Sequence, residues 1–284
     1  MQSDASVDRR CADECRRSIS ALPIGMIASR ITFCIGSQGV PGWQLNELKA
    51  LSGMFRSVIV LTNISQGKQA NLENSLQILS LKNCVDDLCQ VVIEGLDAEL
   101  ACMVLSEYFS ENHYLISTTH SKKRRDESAL FKRSPLTLNV PVRWGFFSTY
   151  QTRGLRKEGL LRQAAECLPA DQSSVLDALL AREAISSTSI GKRLALPHVM
   201  NPNIDRLTLV VHRVRHSLKW AEHRASPHLI LTLLLPSVHD REMLLACTRL
   251  TRWLLIEDNQ KLLIVNDDYL VKIIATHVMC HYHP

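Results

Sequence analysis

No run of about eighteen apolar residues occurs in this 284-residue chain, so nothing in it reads as a membrane-spanning helix. The N-terminus, MQSDASVDRRCADECRR, lacks the continuous apolar core of a secretory signal, and residues 1–28 read as a flexible leader. No C-x-x-C pair is present. The nine cysteines are odd in number, and Cys34, Cys102, Cys167 and Cys247 lie in apolar stretches, while Cys11 and Cys15 fall in the leader. That pattern excludes a disulfide framework and fits reduced thiols in a cytoplasm. The tail groups His277, Cys280, His281 and His283, but no second ligand pair stands at finger spacing, so no metal site is expected.

What is present is enough apolar residue, 46%, for packed cores, in a length that suggests two domains. The net charge of +5 is local: Lys122, Lys123, Arg124 and Arg125 form one run, with Lys132 and Arg133 close by. No aromatic or glycine pattern accompanies the run, so it reads as a solvated basic linker over 113–136 and nucleic acid is not expected as a partner.

The first patterned region covers 29–112. RITFCI alternates as a strand should, and Gly39-Val40-Pro41-Gly42 breaks it. Leu45, Leu48, Leu51, Met54 and Phe55 follow at helical spacing. SVIVLT is a strand, Ser65 to Lys68 a turn, Gln69 to Asn71 a short strand and Ser75 to Leu79 a short helix. QVVIE is a further strand, followed by an amphipathic helix over Ala98 to Phe109. The order β-α-β-β-α-β-α predicts an antiparallel sheet with its helices on one face, an α+β open-faced sandwich.

The second region, 137–284, predicts a helix over Lys157 to Leu168 and another behind a cap at Asp171 or Ser173. Strands are expected over Leu207 to Val211 and Leu229 to Leu235. A long amphipathic helix from Arg241 to Leu255 precedes two shorter ones near Gln260 and Tyr269. Between these elements lies REAISSTSIGKRLALPH, residues 182–198. It reads as a strand that ends in His198, behind a glycine turn at Gly191, two hydroxyls at Ser187 and Thr188, and Arg182. Imidazole is a covalent nucleophile near neutral pH, and a guanidinium fork suits a phosphate dianion.

This segment resembles the active-site block of the type-2 (fructose, mannitol and nitrogen class) EIIA domains of the bacterial phosphoenolpyruvate:sugar phosphotransferase system (PTS). Their pattern is roughly R-E-x-x-x-S-T-x-[IL]-G-x-G-[IV]-A-[IV]-P-H-G. Arg182, Glu183, Ser187, Thr188, Ile190, Gly191, Ala195, Pro197 and His198 fall in register. LILTLLLP with the helix behind it is similar to a second family block. The resemblance implies an α/β sandwich with a mixed sheet and flanking helices. It also implies His198 as a tele-phosphohistidine intermediate, Arg182 as its catalytic partner, and Ser187 and Thr188 as phosphate-stabilising candidates. The family glycines beside the histidine are Arg193 and Val199 here. A second family histidine is replaced by Met243, next to Glu242, a candidate orienting group; His239 lies nearby.

The first region resembles HPr, the small phosphocarrier of the same system, through QGKQANLENSLQILSL and VVIEGLDAELACMVLSEYF. HPr carries G-[LI]-H-A-R-P-[AS] at the start of its first helix. Here Pro41 stands in the histidine position and Trp43 in the arginine position, and the regulatory-serine position falls at Asn74, beside Ser75. The resemblance therefore implies an HPr-like domain that carries no phosphate, with Trp43 and Leu45 at the former docking face. The expected function is a cytoplasmic component that takes phosphate from phospho-HPr on His198 and passes it to an EIIB partner, without a cofactor and without membrane insertion. The alternative is a non-catalytic, PTS-linked regulatory adaptor.

Overall fold

The computed structural model describes residues 28–281, apart from 122–123, 133–135, 170 and 239. The leader with Cys11 and Cys15, and Lys122, Lys123, Arg133, His239 and His283, lie outside the described residues. The chain divides into two compact units, Met1–Leu130 and Phe131–Pro284.

The first unit is an antiparallel sheet in the order β3-β2-β4-β1-β5. Its strands are β1 (Ser29–Cys34), β2 (Val58–Asn63), β3 (Lys68–Asn71), β4 (Leu88–Glu94) and β5 (Tyr114–Thr118). Among the described residues three helices accompany it, α1 (Gly42–Ser52), α2 (Ser75–Ser80) and α3 (Ala98–Asn112), with the short α4 (Glu127–Leu130) after β5. Alternation along the strands decides which face is covered. Ile31, Phe33, Ile59, Leu61, Val91 and Ile93 all point into one cluster, joined by Leu45 and Leu48 of α1, Ile78 of α2 and Ala101, Leu105 and Phe109 of α3. The helices thus share one face, as the pattern predicts. Asn74 caps α2 by accepting the Gln77 N–H at 3.2 Å.

The expected linker over 113–136 is only partly one. Tyr114–Thr118 pairs antiparallel with β1, next to the sheet's centre, and so belongs to the first unit. The bridge Ser117–Arg124 then returns the chain, and Arg125 donates to the Leu115 carbonyl at 2.8 Å while lying 4.3 Å over the Tyr114 ring. Part of the basic run is therefore docked on β5. Its charge concealed a strand whose apolar positions serve a neighbouring strand. Leu45 is a second correction: it is buried in the core and cannot form a docking face.

The second unit is a mixed six-stranded sheet in the order β6-β10-β11-β8-β7, with β9 also on β11. Its strands are β6 (Val142–Phe147), β7 (Ser189–Ile190), β8 (Leu194–Ala195), β9 (His198–Asn201), β10 (Leu207–Arg213) and β11 (Leu229–Pro236). The helices are α5 (Lys157–Glu166), α6 (Gln172–Ile185), α7 (Arg241–Leu254), α8 (Glu257–Val265) and α9 (Asp268–His281). The fully buried LILTLLLP of β11 lies between β10 and the β8/β9 pair, which explains its lack of alternation. Asp240 caps α7 by accepting the Met243 N–H at 2.7 Å. Asp171 occupies the N-cap position of α6 but makes no side-chain cap bond, because its backbone is left-handed, at φ +52°. The last helix has 14 residues, as many as α7, and is not the short one expected. No helix among the described residues is long and apolar enough to cross a membrane.

Each unit holds a buried histidine kept neutral. His113 stacks on Phe33 and accepts the Gly36 N–H on Nδ1 at 3.2 Å; burial lowers its pKa to about 4. His212 stacks on Phe147 with ring centroids 4.8 Å apart, and burial likewise lowers its pKa to about 4. The unfolded chain takes these protons near pH ~6.5 and the folded one does not until about pH 4. Stability is therefore full above ~6.5 and falls as pH drops through that window. From about pH 7 to 5 each group removes roughly 2 kcal/mol. Urea unfolding of a Trp43→Phe background followed by tryptophan fluorescence reads the second unit, which holds Trp144 and the buried Trp220 and Trp253. His212→Phe is expected to flatten that pH dependence, and an unchanged slope would remove His212 as its source.

Candidate functional site

The candidate site is built where α6 meets β9. Ser174, early in α6, accepts a hydrogen bond from the Asn201 amide at 3.3 Å, at the far end of β9. Thr188, just beyond the helix's C-terminus, accepts the Leu196 N–H on its carbonyl at 2.9 Å, just before β9 begins. Helix and strand therefore run antiparallel. From Ser174 to Arg182 the helix climbs about 12 Å, and from Asn201 back to His198 the strand covers about 10 Å. The C-terminal end of α6, which carries Arg182, therefore lies at the end of β9 that His198 opens.

His198 opens a strand and does not end one. β8 and β9 both lie parallel on β11 in one register, Leu194 opposite Leu229 and His198 opposite Leu233. The interruption falls at Leu196-Pro197, where proline has no N–H for the ladder. The freed Leu196 carbonyl lies 3.0 Å from Nδ1 of His198. A carbonyl only accepts, so Nδ1 carries the proton and Nε2 keeps its lone pair. The ring is half-buried. Val199, the next residue, packs into the core beneath α5 and α6, so alternation turns His198 to the opposite face of the sheet.

The other predicted residues divide. Arg182 donates through Nη1 to the Ser186 carbonyl and hydroxyl, each at 3.1 Å, which holds the guanidinium at the C-terminus of α6. Ser187 is exposed; its oxygen accepts the Ser189 N–H at 3.2 Å, and its own proton remains available. Thr188 does not fit a phosphate-binding role. It is buried, and its hydroxyl donates to Glu183 at 2.5 Å. Glu183 falls in register with the family block, but the sequence assigns it no role. Its carboxylate also accepts the Thr188 N–H at 3.2 Å and pairs with Lys157 of α5 at 3.0 Å. One signal was available: a glutamate in the last turn of a helix opposes the helix dipole and calls for a cation.

The turn into β8 depends on Gly191, at φ +60°, where an added Cβ would also collide with the Gln260 amide. Arg193 is exposed, and its carbonyl accepts the His228 and Leu229 N–H groups. Met243 is buried in the first turn of α7, and Glu242 beside it is exposed. In the tail, the His277 and His281 rings lie 5.3 Å apart, and the Cys280 thiol donates to the Thr137 carbonyl at 3.5 Å.

In the first unit, Pro41 is the N-cap of α1 and makes no side-chain bond. Trp43 is 50% exposed in the first turn, and Gln44 beside it is buried, with its amide 3.3 Å from the Asn112 side chain.

Residues 150–276 match the family model described as phosphoenolpyruvate-dependent sugar phosphotransferase system, EIIA 2. Among solved structures, the nitrogen regulatory protein IIA-Ntr of Neisseria meningitidis is 23% identical, over 47% of this chain and 91% of that one, with a TM-score of 0.38. IIA mannitol of Escherichia coli is 21% identical over 46% and 95%, with a TM-score of 0.34. The phosphocarrier protein HPr of Bacillus anthracis is 23% identical over 30% and 96%, with a TM-score of 0.26. No curated protein is similar enough to match. Residues 150–276 of this chain thus match the type-2 EIIA family model, and an α+β open-faced sandwich precedes them.

Proposed function

We propose that this protein is a cytoplasmic phosphocarrier: His198 accepts a phosphoryl group from a phospho-HPr-type donor and passes it to an EIIB partner in sugar uptake. The observation that carries this reading is the Nδ1 contact with the Leu196 carbonyl, which leaves Nε2 of a half-buried ring as the nucleophile. In the forward step the Nε2 lone pair attacks phosphorus in line, the donor's N–P bond breaks, and the donor imidazole keeps that electron pair. His198 becomes a phosphoimidazolium, its ring cationic while it retains the Nδ1 proton. Little covalent chemistry is asked of the protein; position and charge carry the rate. Arg182 balances the dianion, and the Ser187 hydroxyl donates to it. No cofactor is required for this transfer. The domain boundaries we propose are a leader before β1, an HPr-like domain through β5 and an EIIA domain from Phe131 onward.

Incubation with phosphoenolpyruvate, enzyme I and HPr tests the reading: an acid-labile adduct is expected. A charge-assisted hydrogen bond from Arg182 stabilises the phosphorylated state by about 1.5–3 kcal/mol. Arg182→Lys keeps the charge and loses the fork, so acceptance should slow about tenfold. Transfer at the parent rate would remove the bidentate role.

The second reading, a PTS-linked regulatory adaptor, draws on two features. Met243 fills a buried position where the family has its second histidine, and Pro41 and Trp43 replace the HPr phosphate site. Phosphorylation of His198 without onward transfer to any EIIB domain would favour it.

A further inference from the structure

We propose that Glu183 and Thr188 are positioning residues that fix the tautomer of His198, and so decide which ring nitrogen is the nucleophile. The inference rests on the phosphocarrier reading and deepens it. A line of hydrogen bonds runs from the helix pair to the imidazole. Lys157 of α5 donates to Glu183 at 3.0 Å, and Glu183 receives both the Thr188 N–H and its hydroxyl. The Thr188 carbonyl then receives the Leu196 N–H at 2.9 Å, and the Leu196 carbonyl faces Nδ1 of His198 at 3.0 Å. Each link joins a different element: α5, α6, the entry to β7, and the break between β8 and β9.

The break is where this control is needed. Pro197 cannot donate to the sheet; its carbonyl accepts the Leu233 N–H at 2.8 Å, and the Leu196 carbonyl, one residue earlier, turns to the His198 ring. Leu196 is held from the other side, by Thr188. Thr188 in turn is clamped twice by one carboxylate, and that carboxylate is buried, which makes its hydrogen bonds strong and directional. The carbonyl that selects the Nδ1–H tautomer is therefore aimed by a residue ten positions from the histidine in sequence. A loosened Thr188 frees the Leu196 carbonyl to swing, and the imidazole then equilibrates between its tautomers.

The test uses the full-length protein and two readouts. The first is the nitrogen NMR spectrum of the His198 ring, which distinguishes Nδ1–H from Nε2–H. The second is the rate of phosphoryl acceptance from phospho-HPr, separated into kcat and KM. Thr188→Val keeps the shape and removes the hydroxyl, Thr188→Ser restores it, and Glu183→Gln removes the charge that Lys157 pairs with. The valine variant should show a mixed tautomer and a kcat about tenfold lower at unchanged KM, as for loss of an orienting contact behind a reactive group. The serine variant should return both readouts towards the parent. Glu183→Gln removes a buried charge and lowers stability, so the valine–serine pair decides. A pure Nδ1–H tautomer in Thr188→Val overturns the proposal, as does serine failing to rescue a folded protein. A parent protein that takes no phosphate defeats the phosphocarrier reading instead, and the NMR result still decides the positioning role.

Discussion

His198→Ala will take no acid-labile phosphate from phosphoenolpyruvate, enzyme I and HPr, while the parent protein does. The effect is complete loss of label, because the substitution removes the nucleophile and not a supporting contact. Stability should change little. The ring is half-buried, its hydrogen bond is to the Leu196 carbonyl, and that carbonyl can be met by water once the ring is gone. The backbone of residue 198 stays in register opposite Leu233 whatever the side chain, so β9 persists. Circular dichroism and the urea midpoint check that the fold survives. The Thr188 hydroxyl is committed to Glu183, and Met243 has no nitrogen to offer. Label that persists in the alanine variant would place the acceptor elsewhere and end the assignment of His198.

Much of this architecture can be read before any coordinates, and the reasons differ by element. The first sheet was legible because its strands alternate and its helices carry their apolar residues at helical spacing, so a single covered face explains both. Likewise α7 announces itself by its period and by Asp240 at its cap. The strands β7, β8 and β9 have two to four residues each, too few for any pattern; they are strands because β11 and one another pair with them. That is why His198 reads from sequence as the end of a strand and stands in the fold at the start of one. β5 was hidden by the neighbouring charges, which say nothing of the β1 edge that recruits it. At the site, His198 and Arg182, the proposed acceptor and its proposed partner, are visible in the motif. The roles of Thr188 and Glu183 are not, since a hydroxyl's partner is fixed by tertiary contact and not by its position in a string.

The HPr-like unit is expected to carry no phosphate, and to gain the capacity when two residues are restored. Pro41 offers no nucleophile, and Trp43 offers no cation for a phosphorylated product. α1 presents its N-terminal N–H groups and the positive end of its dipole at this point, an arrangement that favours a phosphate. Pro41 itself sits at φ −68° and ψ 161°, extended backbone that histidine adopts without strain. Trp43 is half-exposed in the first turn, so Trp43→Arg disturbs no core. The experiment is done in full-length protein carrying His198→Ala, so that any label must come from the first unit. That background should show none. Adding Pro41→His alone should give a weak signal. Adding Trp43→Arg as well should raise it about ten- to a hundredfold, the effect of a charge-assisted hydrogen bond of about 1.5–3 kcal/mol on the phosphorylated state. A label in the His198→Ala background without these changes would show a carrier residue that Pro41 does not explain. If the combined variant folds and stays unlabelled, the HPr-like unit keeps its fold assignment but loses its reading as a carrier disabled at two positions.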